Sequence, residues 1–145
     1  MQQFTPIRAM LPSDLETVAD IWLTENKNAH SFIPAAYWER HLEPVKAALL
    51  QADVAVWEDR QGIGGFAGMQ VDWLAGIFVR ASRRSCGIGK ALLNHFKAQR
   101  AQISLSVYQK NMRAIRFYQR EGFAVLAKGV DADTGETEYT MRWQR

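Results

Sequence analysis

Cysteine and long apolar runs are what this chain of 145 residues has little of, and each scarcity excludes something. With Cys86 as its single cysteine, no internal disulfide can form, and the chain reads as one suited to a reducing compartment. The histidines His30, His41 and His95 stand far apart with no cysteine pair nearby, so no metal site is expected. No apolar stretch approaches transmembrane length, and Met1 to Pro6 lacks the charged and apolar regions of a signal peptide. A cytoplasmic location without membrane attachment is therefore expected. Repeats, linkers and low-complexity tracts are also missing. A hydrophobic content of 48% and a charged content of 23% are those of a globular protein, and the length suits one domain over residues 1–145. The positive excess is small, +3, which fits a local anion site as readily as a nucleic-acid surface.

Against this plain background one segment stands out, Arg83-Arg84-Ser85-Cys86-Gly87-Ile88-Gly89-Lys90-Ala91-Leu92-Leu93. Before it, Ala75 to Val79 reads as a short buried strand. After it, Ile88, Ala91, Leu92 and Phe96 recur on one helical face. A glycine-spaced basic turn thus opens a helix, where backbone N–H groups lack partners and the macrodipole is positive. Gly87 and Gly89 remove the Cβ atoms that would hold an anion away from those amides. The same segment also describes an ordinary helix start beside solvated arginines, and the rest of the chain has to decide.

The remaining pattern predicts an α+β domain. A strand is expected over residues 4–10, then a helix from Ser13 to Thr24, with a Ser13/Glu16 capping box and a face of Leu15, Val18, Ala19 and Trp22. A loop from Glu25 to Pro34 follows, and a helix over residues 36–50 that Pro44 bends or divides. From Asp53 the period shortens to two. Strands are expected around Val54 to Trp57, Gly65 to Val71 and Ala75 to Val79, the first two joined by a hairpin at Asp59 to Gly62. A strand from Ile103 to Tyr108, a helix from Asn111 to Glu121 closed by Gly122, and a final hairpin of 123–130 with 137–143 complete the order. Gly62 to Gly68 has the composition of a dinucleotide fingerprint but leads into a strand, so that motif's mechanism is absent.

Asn111-Met112-Arg113-Ala114-Ile115-Arg116-Phe117-Tyr118-Gln119-Arg120-Glu121-Gly122-Phe123 follows the glycine turn after one strand. Arg84-x-x-Gly87-x-Gly89, then Asn111-x-x-Ala114-Ile115-x-Phe117-Tyr118-x-x-x-Gly122-Phe123, resembles the paired signature of the GNAT superfamily of acetyl-CoA-dependent N-acetyltransferases. His30 to Ile33, Tyr37-Trp38 and Val107 to Asn111 are similar to the small bacterial members that modify protein lysines. The resemblance implies a mixed, mostly antiparallel central sheet of about seven strands flanked by about four helices. It also implies acetyl-CoA as co-substrate, and a primary amine, a protein lysine or an N-terminal amine, as acceptor.

In that frame the amides of Gly87, Ile88, Gly89, Lys90 and Ala91, with Arg84 beside them, receive the coenzyme A pyrophosphate. Strand residues Ile77, Phe78 and Val79 pair with the pantetheine arm and offer an N–H to the acetyl oxygen. Asn111 is a helix cap, a contact to that arm, or both. Gly76 marks either a bulge that opens the slot or a packing glycine. The resemblance makes Tyr118 the general acid, against the plain alternative of a core aromatic. Many relatives carry a carboxylate on the strand before the turn, and Leu74 to Val79 carries none. His30 is the first candidate for the missing base, followed by Asp72 and Glu25. Phe32, Trp38 and Trp73, with Tyr37, are candidates for the acceptor cleft, although large aromatics also fill cores. Cys86 receives no catalytic task.

Three other readings stay open. The acceptor is a small amine, or an aminoacyl-tRNA met by the Arg113, Arg116 and Arg120 stripe. The chain is a non-catalytic acyl-CoA-binding module, against which Tyr118 and the intact turn argue. It is a basic RNA-binding domain, for which no recognition motif is present. Monomer and homodimer are both compatible, the final hairpin being either a free edge or an interface.

Overall fold

The computed structural model describes residues 6–145, so the expected start of the first strand at Phe4 lies outside the described residues. Seven strands form one sheet among those residues: β1 (Ile7–Ala9), β2 (Asp53–Asp59), β3 (Gly62–Gln70), β4 (Trp73–Val79), β5 (Gln102–Tyr108), β6 (Ala124–Val130) and β7 (Thr137–Gln144). Their spatial order is β1-β2-β3-β4-β5-β7-β6, antiparallel at every junction except β4 with β5. Five helices cover it: α1 (Leu15–Ala29), α2 (Ala35–Arg40), α3 (Leu42–Gln51), α4 (Ile88–Lys97) and α5 (Met112–Arg120). This is the α+β arrangement expected, with one helix more because the second is two. No helix among the described residues is long and apolar enough to cross a membrane.

The pleat sorts side chains between two cores. On one face Val54, Val56 and Phe66 pack against Val18 and Ile21 of α1 and Leu49 of α3. On the other, Ala55, Ala67 and Met69 lie under Ile88, Leu92, Leu93 and Phe96 of α4, joined by Ile115 and Tyr118 of α5. Fully burying one such aliphatic or aromatic side chain contributes about 1.5–3 kcal/mol. β3 is thereby covered on both sides and is built from small residues. A Cβ on Gly65 would stand 2.8 Å from the Phe78 carbonyl and 3.1 Å from Ile88 Cγ2. Its absence lets the first turn of α4 sit directly on the sheet.

Three local expectations are corrected. The Ser13/Glu16 capping box is not formed. A 3₁₀ turn at Pro12–Asp14 precedes α1, and Asp14, held by Arg8 at 2.8 Å, accepts the Leu11 N–H at 2.7 Å. The first helix continues past Thr24 to Ala29, with Glu25 and Asn26 buried on it. The second helix divides at His41 rather than at Pro44, because Pro44 falls in the first turn of α3, where an N–H has no helical partner to lose.

Candidate active site

β4 and β5 run parallel in register only at Trp73↔Ser104 and Leu74↔Leu105, after which they part. The cause lies on β4. Opposite β3, Gly68 pairs with Gly76 and Met69 with Leu74, so Ala75 is an extra residue that bulges the strand. Gly76 has both expected roles: it borders the bulge, and a Cβ there would meet the Phe78 ring at 2.6 Å. Beyond the bulge the Arg80 N–H bonds the Gly64 carbonyl at 2.9 Å, and with Phe66 opposite Phe78 this fixes the alternation. Phe78 therefore hydrogen-bonds with β3, while the N–H and C=O of Ile77 and Val79 face the gap.

The gap widens into a cleft of about 710 Å3. β4 lines it with Ile77, Phe78 and Val79, the turn with Arg83, Arg84 and Gly87 to Lys90, and α5 with Asn111, Ala114, Phe117, Tyr118 and Glu121. The C-terminal turn of α1 lines it with Glu25, Asn26, Ala29 and His30. Residues 114, 117, 118 and 121 share one helical face, which explains their common exposure to the cleft.

Gly87 caps α4 with φ of +79°, a left-handed conformation that glycine adopts without strain, and nothing lies within 4 Å of where its Cβ would be. The nearest atom to a Cβ on Gly89 is Phe117 Cζ at 3.6 Å. The N–H groups of Ile88, Gly89 and Lys90 begin the helix, and the first helical bond is the Ala91 N–H to the Gly87 carbonyl at 3.0 Å. Ala91 is thus removed from the expected anion donors, since its amide is already used. Arg84 is tied across the cleft to Glu25 at 2.8 Å, and Arg83 is paired with Asp59. Lys90, Arg113 and Arg120 have no ion pair among the described residues. The turn with Lys90, and α5 with Arg113 and Arg120, therefore present amides and unpaired cations to one cleft, which fits a phosphate-bearing ligand.

Tyr118 is buried on α5 beside Phe117 and Phe123, and its hydroxyl makes no hydrogen bond among the described residues. Burial pushes its pKa above the ordinary tyrosine value, so it stays protonated. Asn111 caps α5, its side-chain oxygen accepting the Ala114 N–H at 3.3 Å, and its Nδ2 lies 3.2 Å from His30 Nε2.

The expected bases fare differently from Tyr118. Asp72 is exposed at the turn into β4, outside the cleft, where its carbonyl accepts the Ser104 N–H. Glu25 is in the cleft but committed to Arg84. His30 is in the cleft, with its Nε2 against Asn111, and desolvation pushes its pKa down to about 4. A nitrogen so occupied and so weakly basic is ill suited to take a proton from an amine, which corrects the assignment of His30 as base.

The aromatic candidates also separate. Trp38 is buried beneath His30, ring centroids 5.2 Å apart, and is a core residue. Phe32 packs edge-on against His30 and Tyr108 at the rim, outside the cleft lining. Trp73 is exposed at the closed end of the β4–β5 fork, away from the cleft, because its strand position is the paired one. Phe117 and Asn26 line the cleft without a role legible from the sequence, and Arg120, expected only as part of a basic stripe, lines it with them. Phe117 lies four residues before Glu121 and Asn26 four before His30, and that helical spacing is the signal that carries the information.

A splayed parallel pair beside an amide-rich turn, with a buried tyrosine opposite, makes a cleft for an extended ligand that carries phosphate at one end. The chain belongs to the GNAT acetyltransferase family: the acetyltransferase (GNAT) domain model matches residues 50–125. It is 34% identical over 139 residues to the peptidyl-lysine N-acetyltransferase YiaC of Escherichia coli K12, covering 94% of this chain and 95% of that one. The solution structure of apo-form YjaB from Escherichia coli superposes with a TM-score of 0.83 at 23% identity, covering 94% and 95% of the two chains. The PaiA N-acetyltransferase of Thermoplasma acidophilum, solved in complex with coenzyme A, superposes at 0.78 with 19% identity over 96% and 98%. The chain is an acyltransferase of this family.

Proposed function

We propose that the protein transfers the acetyl group of acetyl-CoA to a lysine side chain of a protein. Acetyl-CoA, when bound, supplies an acetyl group activated as a thioester. The observation that carries the reading is the fork between β4 and β5, with the Ile77 and Val79 backbone facing it and Tyr118 buried along its side.

Each part of the chain then has a defined task. The amides of Ile88, Gly89 and Lys90, left free by the helix start, hold the pyrophosphate, and Lys90, Arg113 and Arg120 add charge without first breaking an ion pair. The edge groups of Ile77 and Val79 extend the sheet onto the peptide-like arm, as a strand would. An N–H of this edge also faces the oxygen on which negative charge develops, fixed beforehand and so requiring little reorganisation. Tyr118, kept protonated by burial, donates its proton to the departing thiolate and regains one released from the nitrogen of the attacking amine as the amide forms, so that no net charge is left on the side chain. The lysine acceptor rests on the relatives' own description as peptidyl-lysine N-acetyltransferases. The exposed Cys86 is compatible with work in the reducing cytoplasm.

The test is acetyl transfer by the wild type and by Tyr118→Phe on panels of proteins, peptides and small amines, followed by mass spectrometry and thiol release. Acetyllysine on protein or peptide, lost with Tyr118→Phe, is expected. Acetylation confined to small amines overturns the acceptor, and no consumption of acetyl-CoA above the spontaneous rate overturns the activity.

A further inference from the structure

His30 ends α1, its N–H bonded to the Asn26 carbonyl at 2.9 Å and its carbonyl taking the Ile33 N–H at 3.0 Å. Its ring is clamped: stacked on Trp38, with the edges of Phe32 and Tyr108 against it at 5.7 and 5.2 Å. Of its two nitrogens, Nδ1 is enclosed with no partner among the described residues, and Nε2 meets Asn111 Nδ2 at 3.2 Å.

The cap on α5 decides which atoms these are. Asn111 Oδ1 is committed to the Ala114 N–H, so the face of Asn111 toward His30 is its NH2, a donor only. Nε2 must then accept, and the ring proton is on Nδ1. We infer that His30 is a positioning residue, a neutral Nδ1–H imidazole whose Nε2 lone pair fixes the orientation of Asn111, and through it the cap of the helix carrying Tyr118. The side chain of Asn111 would otherwise turn about its terminal bond, presenting NH2 where the Ala114 N–H needs an oxygen. His30 thereby links the loop after α1 to the cofactor side of the cleft. Burial lowers the pKa of the ring and keeps it neutral, the state in which Nε2 can accept.

The kinetic part rests on the proposed acetyl transfer, whereas the tautomer is a property of the chain alone. Ring 15N NMR of the purified protein is expected to show His30 in the Nδ1–H form at neutral pH, and Asn111→Asp to convert it to Nε2–H by turning the facing group into an acceptor. An Nε2–H ring in the wild type overturns the proposal, whatever the enzyme does. In binding and kinetics, His30→Phe keeps the ring on Trp38 but removes the acceptor. It is expected to weaken acetyl-CoA binding about 10-fold with the pH profile of kcat unchanged. His30→Gln, whose carbonyl accepts, is expected within about 3-fold of wild type, and adding His30→Phe to Asn111→Ala is expected to cause no further loss. If His30→Phe leaves binding intact and removes the acid limb of the pH profile, His30 is the base and the proposal fails. It also fails if His30→Gln, folded by circular dichroism, is as impaired as His30→Phe, or if the losses at 30 and 111 add. A wild type that shows the Nδ1–H ring but transfers no acetyl group overturns the function instead.

Discussion

Arg84 and Glu25 meet across the cleft at 2.8 Å, joining the glycine turn to the first helix, and they are unequally placed: the Glu25 side chain is 9% exposed and that of Arg84 34%. Removing either partner leaves the other, and only one of them can fall back on water. Arg84→Ala strands a buried carboxylate and is expected to cost about 1–3 kcal/mol. Glu25→Gln leaves a guanidinium that solvent reaches, and is expected to cost less than about 1 kcal/mol. Urea denaturation of the two variants with unchanged m-values checks the order, and equal losses would show that burial does not govern the pair.

Packing around β4 gives a second ordered series. A Cβ at position 65 meets the Phe78 carbonyl at 2.8 Å, and backbone cannot rotate away. At position 76 it meets the Phe78 ring, which can move only by leaving its stack on Phe66, 5.0 Å between centroids. At position 129 nothing lies within 4 Å. Gly65→Ala is expected to lose the most stability, Gly76→Ala about 1–3 kcal/mol, and Gly129→Ala less than about 0.5 kcal/mol. Thermal melts of the three variants test the ranking.

Tyr118→Phe separates chemistry from structure. Its hydroxyl has no partner among the described residues, so deleting it is expected to leave the melting temperature unchanged or slightly raised. Acetyl-CoA affinity should stay within about 2-fold while kcat falls about 100-fold. Steady-state kinetics beside calorimetry decides this, and an unaltered kcat would remove Tyr118 from proton transfer.

The glycine turn is tested by Gly89→Glu, which sets bulk and a carboxylate at the free amides of α4. Loss of measurable acetyl-CoA binding by calorimetry is expected, with helix content retained. A folded variant of wild-type affinity would mean that the phosphates lie elsewhere.

His30 also marks the acid stability. Its pKa is depressed from 6.5 to about 4 in the folded chain, so protonation favours the unfolded state. The stability it contributes is complete above pH 6.5 and is lost as pH falls toward 4, by up to about 1.4 kcal/mol per pH unit. His30→Phe is expected to lack this component, so its stability relative to wild type should rise across that window. Parallel denaturation curves between pH 7 and 4 test it, and a constant difference would contradict it.

The strand order and both cofactor-side helices were readable because their signals are local: period two in β2 and β5, glycines 87 and 89, the cap at Asn111. What escaped depended on partners distant in sequence. α1 outruns its apolar pattern because Glu25 and Asn26 are polar yet buried, one satisfied by Arg84 and the other bonding the Trp22 carbonyl at 2.9 Å. Ser13 loses the cap because Arg8 fixes Asp14 from β1. Trp38 and Trp73 miss the cleft for the same reason: an aromatic residue's value to a site depends on which end of a strand or which layer it occupies, and composition carries neither.

The two register pairs that join β4 to β5 make the sheet, in effect, two sheets riveted at one corner, four strands on one side and three on the other. A ligand lying in the open fork completes the interrupted ladder and spans the rivet's lever arm. Acetyl-CoA would on this geometry be a structural member as well as a reactant, and the folded chain would gain stability with its concentration as mass action requires.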